Sequence, residues 1–123
     1  MILGIGTDII EIDRIEEGIK KNTLLLQRIF TEREIEVFQS KKLRYETIAA
    51  NFAVKEAVSK AIGTGLRGFS FNDIEVLRDE LGKPYVEVSQ KVVDVIGYEA
   101  FTFNVSISHN KTMAVAFVIL EDR

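Results

Sequence analysis

The sequence predicts an α+β fold: a single compact domain with an antiparallel β-sheet packed around a long central helix. Three observations carry this expectation. Apolar residues lie nearly all round a helical wheel drawn from Arg44 to Ile62, which is the pattern of a helix buried on every side. After Gly68 the chain changes to short β-rich runs broken by turn residues,. The resulting order of a strand, then helices, then strands with one small helix is that of an α+β protein. A length of 123 residues suits one domain, 1–123,.

The elements follow in order. Ile2 to Thr7 reads as a strand ending at Gly6-Thr7-Asp8. Asp13 is placed to cap a helix, with Glu16 three residues on and Ile12, Ile15 and Ile19 as its apolar stripe,. A second helical piece covers Thr23 to Ile29. Thr31-Glu32-Arg33-Glu34 has the form of a capping box, opening a helix to about Lys41 or Lys42 with Ile35 and Phe38 inward,. The long helix then stops at Gly63 in a left-handed cap. Ile74–Leu77 and Tyr85–Val88 form a hairpin across Gly82-Lys83-Pro84, and Val92, Val93 and Ile96 form a short helix before Gly97,. Phe101 to Ser108 alternates, with Phe103, Val105 and Ile107 on one face,. Met113 to Leu120 reads as a strand buried on both faces,.

Composition removes several function classes. The chain has no cysteine, so disulfides, thiolate metal sites and cysteine nucleophiles are excluded, and a reducing, cytoplasmic setting fits. No apolar run approaches a membrane span, and the N-terminus is not a signal peptide,. A net charge of −3 argues against binding nucleic acid,. One stretch runs against that balance. From Arg14 to Arg28 four basic residues face two acidic ones. That pattern is either a solvated helix surface or a docking face for an acidic partner.

Three residues stand out chemically. Glu56 and Lys60 are spaced i, i+4 and fall within an arc of Ala49, Phe52, Ala53 and Ala57. Charges in an apolar arc are costly unless paired or metal-bound, so they mark a buried ion pair or a functional pocket. Asp8 follows an apolar strand, where an aspartate can cap a turn or present a carboxylate. Two carboxylates such as Asp8 and Glu56 suit Mg²⁺, a hard ion that keeps waters and phosphates in its shell, and Lys60 would then face those phosphates. His109 is the only histidine, so a histidine-rich metal site is excluded. Gly63-Thr64-Gly65-Leu66-Arg67-Gly68 follows a helix instead of opening one. It is therefore neither a P-loop nor a dinucleotide fingerprint,.

Gly4-Ile5-Gly6-Thr7-Asp8-Ile9-Ile10-Glu11-Ile12 resembles the opening motif of holo-acyl-carrier-protein synthases. Asn51-Phe52-Ala53-Val54-Lys55-Glu56-Ala57-Val58-Ser59-Lys60-Ala61-Ile62-Gly63-Thr64-Gly65 resembles their central signature. Phe30-Thr31-Glu32-Arg33-Glu34, Gly82-Lys83-Pro84 and Ser106-Ile107-Ser108-His109 add to the likeness, in family order and over nearly the whole chain. The resemblance implies the 4′-phosphopantetheinyl transferase fold. It also implies transfer of 4′-phosphopantetheine from coenzyme A to a serine of apo-acyl carrier protein, releasing adenosine 3′,5′-bisphosphate, in support of fatty acid biosynthesis. It implies that Asp8 and Glu56 bind Mg²⁺. Lys60 and His109 would lie near the coenzyme A phosphates, and Gly65, Lys83 and Pro84 near the nucleotide. Arg14 and Arg28 would dock the carrier protein, and the enzyme would be a cytoplasmic homotrimer with active sites between subunits. Two positions depart from the pattern. Gly18 stands where a larger residue is commoner. Asn51 stands where the family often carries an arginine that contributes to coenzyme A binding, a contact that Arg44, Lys41 or Lys42 would have to replace. Two other readings of the site are a nucleotide pyrophosphohydrolase using Mg²⁺ and a non-catalytic oligomeric binding module.

Overall fold

In the computed structural model, which describes residues 1–42 and 44–123, everything is arranged around one helix. The elements in order are β1 (Ile2–Glu11), α1 (Ile12–Lys21), α2 (Leu24–Ile29), α3 (Glu32–Ser40), α4 (Tyr45–Ile62), a 3₁₀ turn (Phe71–Asp73), β2 (Ile74–Arg78), β3 (Pro84–Val88), α5 (Gln90–Ile96), β4 (Phe101–His109) and β5 (Met113–Asp122). Strands β1, β5 and β4 form an antiparallel sheet with β5 in the middle, and β2–β3 form a separate antiparallel hairpin. The expected α+β class and central helix are both present.

Helix α4 is central because its small apolar residues let neighbours approach from several sides. Ala53, Val54, Ala57, Val58 and Ala61 pack with Val76, Val92, Ala116, Val118 and Leu120 in the main core. Ala49 and Ala50 pack with Ile12 and Ala114, and Ile48 with Phe30 and Phe38. Gly63 closes the helix in the left-handed conformation, as its position predicts,. The Thr31–Glu34 capping box also forms in full.

The closest approach is between α4 and β1. A Cβ on Gly4 would lie 1.8 Å from the Ala61 carbonyl oxygen, and one on Gly6 the same distance from that of Ala57. Only glycine lets the strand backbone lie directly on the helix. Because side chains alternate along a strand, Asp8 falls on the same helix-facing side as Gly4 and Gly6.

Four expectations need correction. Strand β1 runs to Glu11, so Asp8 lies inside a strand and not at its end. Asp13 does not cap α1; Glu11 holds the N-cap position with no side-chain bond, and Asp13 sits in the first turn. The backbone bond from Ile12 N–H to the Thr112 carbonyl, 2.9 Å, holds this junction. Strand β5 is buried on one face only: Ala114, Ala116, Val118 and Leu120 pack inward, while Phe117 is 44% exposed on the other side. Finally, the charges enclosed by α4 are not Glu56 and Lys60. Lys60 is exposed and Glu56 partly so, whereas Lys55, with 0% exposure, lies in the interior.

Candidate active site

Asp8 and Glu56 are brought together by the glycine contact. With β1 pressed on α4 at Gly6–Ala57, the strand's next helix-facing residue, Asp8, comes beside the turn that carries Glu56. Both carboxylates line one groove of about 520 Å³, shared with Ile9, Ile10, Glu11, Arg14, Ile15, Phe52 and Met113. Lys60 reaches back from the next turn of α4. Its Nζ donates to the Thr7 carbonyl at 2.9 Å and to Asp8 Oδ1 at 3.3 Å. Thus Asp8, Glu56 and Lys60, singled out on separate grounds in the sequence, form one cluster.

The electrostatics of the cluster is unbalanced. Burial pushes the Glu56 carboxyl above its ordinary value, and the neighbouring Asp8 charge pushes it further, while Lys60 acts in the opposite direction. Two carboxylates sharing one ammonium leave excess negative charge, which favours a cation. Among the described residues no cluster of three or more His, Cys, Asp or Glu could hold a metal. The donor set is two carboxylates opening on a groove. This suits an ion that keeps waters and substrate oxygens, as Mg²⁺ does, and does not suit a closed protein cage.

Arg14, on the first turns of α1, lines this same groove, so it borders the carboxylates as well as the basic surface. Arg28 is exposed in the last turn of α2. The remaining predicted residues lie outside the groove. Gly65 is in the loop after α4 with φ of +67°. Lys83 closes the β2–β3 turn, its backbone N–H donating to Asp79 Oδ1 at 2.9 Å, and Pro84 opens β3 opposite Arg78. His109 ends β4, opposite Ala114 and therefore one strand removed from β1.

Asn51 lies in the interior, not on the groove of Asp8 and Glu56. It is 1% exposed, and its Nδ2 donates to Glu34 Oε2 and to the Val76 carbonyl, each at 3.1 Å. In this fold its side-chain donors are used inside the chain, where the family often carries an arginine. Lys41 lines a separate groove with Arg78, Gly82 and Tyr85, the last two flanking Lys83 and Pro84.

The groove's apolar wall of Ile9, Ile10, Ile15, Phe52 and Met113 was not foreseen, because it combines residues from four elements. The buried partnership of Glu34, Asn51 and Lys55 was also missed. Its signal was present: Asn51, Lys55 and Ser59 form an i, i+4, i+8 polar stripe on an otherwise apolar helix,.

A family model described as the 4′-phosphopantetheinyl transferase superfamily matches residues 4–118. The chain belongs to this superfamily. Among superfamily members, the protein named holo-[acyl-carrier-protein] synthase from Clostridium botulinum (strain Eklund 17B / Type B) is 53% identical over 121 residues, 98% of either chain. The one from Clostridium beijerinckii is 50% identical over the same coverage. The crystal structure of a holo-(acyl-carrier-protein) synthase from Bacillus anthracis in complex with CoA (3′,5′-ADP) is 43% identical. It superposes with a TM-score of 0.84, covering 100% of this chain and 99% of that one. The Neisseria meningitidis holo-[acyl-carrier-protein] synthase gives a TM-score of 0.89 at 35% identity, covering 99% and 100%. The phosphopantetheinyl transferase fold is therefore shared over the full described length.

Proposed function

We propose that this chain is a holo-[acyl-carrier-protein] synthase. It transfers 4′-phosphopantetheine from coenzyme A to a serine of apo-acyl carrier protein and releases adenosine 3′,5′-bisphosphate. The observation that carries the reading is the Asp8–Glu56–Lys60 cluster, set in a groove bordered by basic Arg14. It stands on a chain whose relatives bear that name over 98% of their length.

The serine oxygen forms a bond to the β-phosphorus as the P–O bond to the nucleotide breaks. Such transfer depends on positioning and on neutralising charge. Asp8 and Glu56 would hold Mg²⁺, which supplies Lewis-acid neutralisation of the pyrophosphate when bound. Lys60, already oriented by the Thr7 carbonyl, stabilises charge on the leaving phosphate. Arg14 and Arg28 receive the acidic carrier protein, an interaction that weakens as salt rises.

We further propose that Gly65, Lys83, Pro84 and His109 contact coenzyme A and that neighbouring subunits complete the site in a homotrimer. Their placement outside the Asp8–Glu56 groove supports a site divided between chains. So does the outer face of the sheet. Ile5 is 59%, Ile9 61% and Phe117 44% exposed, beside Val115 and Ile119 on the same face. Exposed large apolar residues grouped on one sheet face, here interspersed with Thr7 and Ser106, mark an association surface. Residues 1–123 act as one transferase domain in this reading. The absence of cysteine suits a reducing cytoplasm,, and no helix among the described residues is long and apolar enough to cross a membrane.

Intact mass spectrometry of apo-carrier protein incubated with coenzyme A, Mg²⁺ and this protein tests the reading. A gain of about 340 Da on the carrier is the expected phosphoryl-transfer product. Asp8→Ala and Glu56→Ala should each abolish it while circular dichroism stays unchanged. Nucleotide release with no mass gain would identify a pyrophosphohydrolase instead, and coenzyme A binding with neither would identify a binding module.

A further inference from the structure

One buried polar centre has no part in the chemistry above. The Lys55 ammonium has three donors and uses all three: Glu34 Oε1 at 2.6 Å, the Ile29 carbonyl at 2.8 Å and the Phe71 carbonyl at 2.9 Å. Glu34 accepts in turn from Thr31 N–H and from Asn51 Nδ2, both at 3.1 Å. The Lys55 and Glu34 side chains are both 0% exposed. Four segments therefore meet on one ammonium and its counter-ion: the end of α2, the first turn of α3, the 3₁₀ turn and α4.

Stability alone is a poor account of such a centre. A buried ion pair is commonly no more stabilising than apolar residues of the same volume, because both ions lose their hydration. Burial indeed pushes the Lys55 ammonium below its ordinary value and the Glu34 carboxyl above it. What apolar packing cannot do is fix the direction and position of two particular carbonyls. Here one of those carbonyls belongs to Ile29, next to Arg28, and the ammonium itself belongs to the residue next to Glu56.

We propose that Lys55, with Glu34 as its counter-ion, is a positioning residue that sets the carrier-docking corner at Arg28–Ile29 against the helix turn carrying Glu56. The inference rests on Arg28 as a docking residue. Lys55 touches neither substrate. It fixes how far the docked serine stands from the reacting phosphorus by holding the corner on which the carrier sits.

The test is the double variant Lys55→Met with Glu34→Gln, which is neutral, retains an acceptor oxygen for one of Thr31 and Asn51, and leaves the Ile29 and Phe71 carbonyls without the ammonium. Amide hydrogen exchange should be faster by about tenfold or more from Leu24 to Ser40, with β1 and β5 unchanged. In transfer assays KM for carrier protein should rise by about tenfold while KM for coenzyme A stays within about twofold, the split expected when only placement of one substrate is disturbed. Unchanged exchange across α2 and α3, or equal rises in both KM values, overturns the proposal. Arg28→Glu run alongside separates the two readings. If it leaves KM for carrier protein unchanged, the docking assignment is wrong and the coupling proposed here falls with it, whereas the exchange data still report whether Lys55 holds the corner. Should the double variant not fold, Glu34→Gln alone removes the counter-ion's charge but keeps its oxygen, and the same two readouts decide.

Discussion

Replacing Gly6 by alanine attacks the contact that assembles the site. The added Cβ would lie 1.8 Å from the Ala57 carbonyl oxygen, 2.8 Å from its carbon and 2.9 Å from the Ala61 nitrogen. Every one of these atoms is backbone, so no side chain can rotate away. Restoring ordinary contact at 3.4 Å requires strand and helix to part by about 1.6 Å (3.4 − 1.8). Overpacking of this kind costs about 1–3 kcal/mol, and a contact between two main chains belongs at the upper end. For a chain of this length that is a fall in Tm of roughly 10 °C. Asp8 follows two residues later on the same face and moves with the strand, away from Glu56. A displacement above 1 Å in a catalytic constellation costs about a hundredfold in rate. The assay is thermal unfolding together with carrier-protein modification at saturating coenzyme A and Mg²⁺. A Gly6→Ala protein that melts within a degree or two of wild type, or that folds and transfers at the wild-type rate, would refute the claim that this contact sets the separation of Asp8 and Glu56.

Other outcomes follow from the same structure. Glu56 has a raised folded pKa, so its contribution to stability is fully present below the ordinary value of 4.5 and is lost as pH rises through the folded value,. Glu56→Gln should therefore stabilise the metal-free protein at neutral pH and lose that advantage below the ordinary value; melting curves across pH check this, and an advantage independent of pH would contradict it. Gly18 lies inside α1, and a Cβ there would meet only the Leu25 Cδ2 at 3.3 Å. Gly18→Ala should gain up to about 1 kcal/mol from helix propensity, read by chemical denaturation, because Leu25 can yield. Phe117→Asp places a charge at the centre of the exposed sheet face; it should shift the protein to monomers by analytical ultracentrifugation and depress transfer, with the monomer's secondary structure retained.

Much of the fold was legible because local and tertiary demands agree. The alanine-rich stripe of α4 could only suit a helix enclosed on several sides, and Thr31 with Glu34 specified a helix start that formed as read. Where the two demands part, the sequence misled. Asp8 looked terminal because Gly6-Thr7 resembles a turn, but Gly6 is there for helix contact and the strand continues past it. Met113–Leu120 reads as buried on both faces because its outward residues are apolar too, and a single chain leaves them uncovered. The Asp8–Glu56–Lys60 cluster was legible as residue types but not as a site, since nothing local joins Asp8 to Glu56 across 47 intervening positions; family resemblance supplied that link. Lys55 went unread because lysine is so rarely enclosed completely, and its three acceptors come from segments distant in sequence.

Strand β1 carries two messages by parity. Its even positions, Gly4, Gly6 and Asp8, are addressed to α4, and its odd positions, Ile5, Thr7 and Ile9, to whatever lies beyond the sheet. Substitutions at Ile5 can thus retune association without touching Asp8, whereas Ile9 also borders the carboxylate groove. Loss or gain of one residue in this ribbon is a different matter. It would turn Asp8 outward and drive an isoleucine into the helix in the same step, so the length of β1 is held as firmly as its glycines.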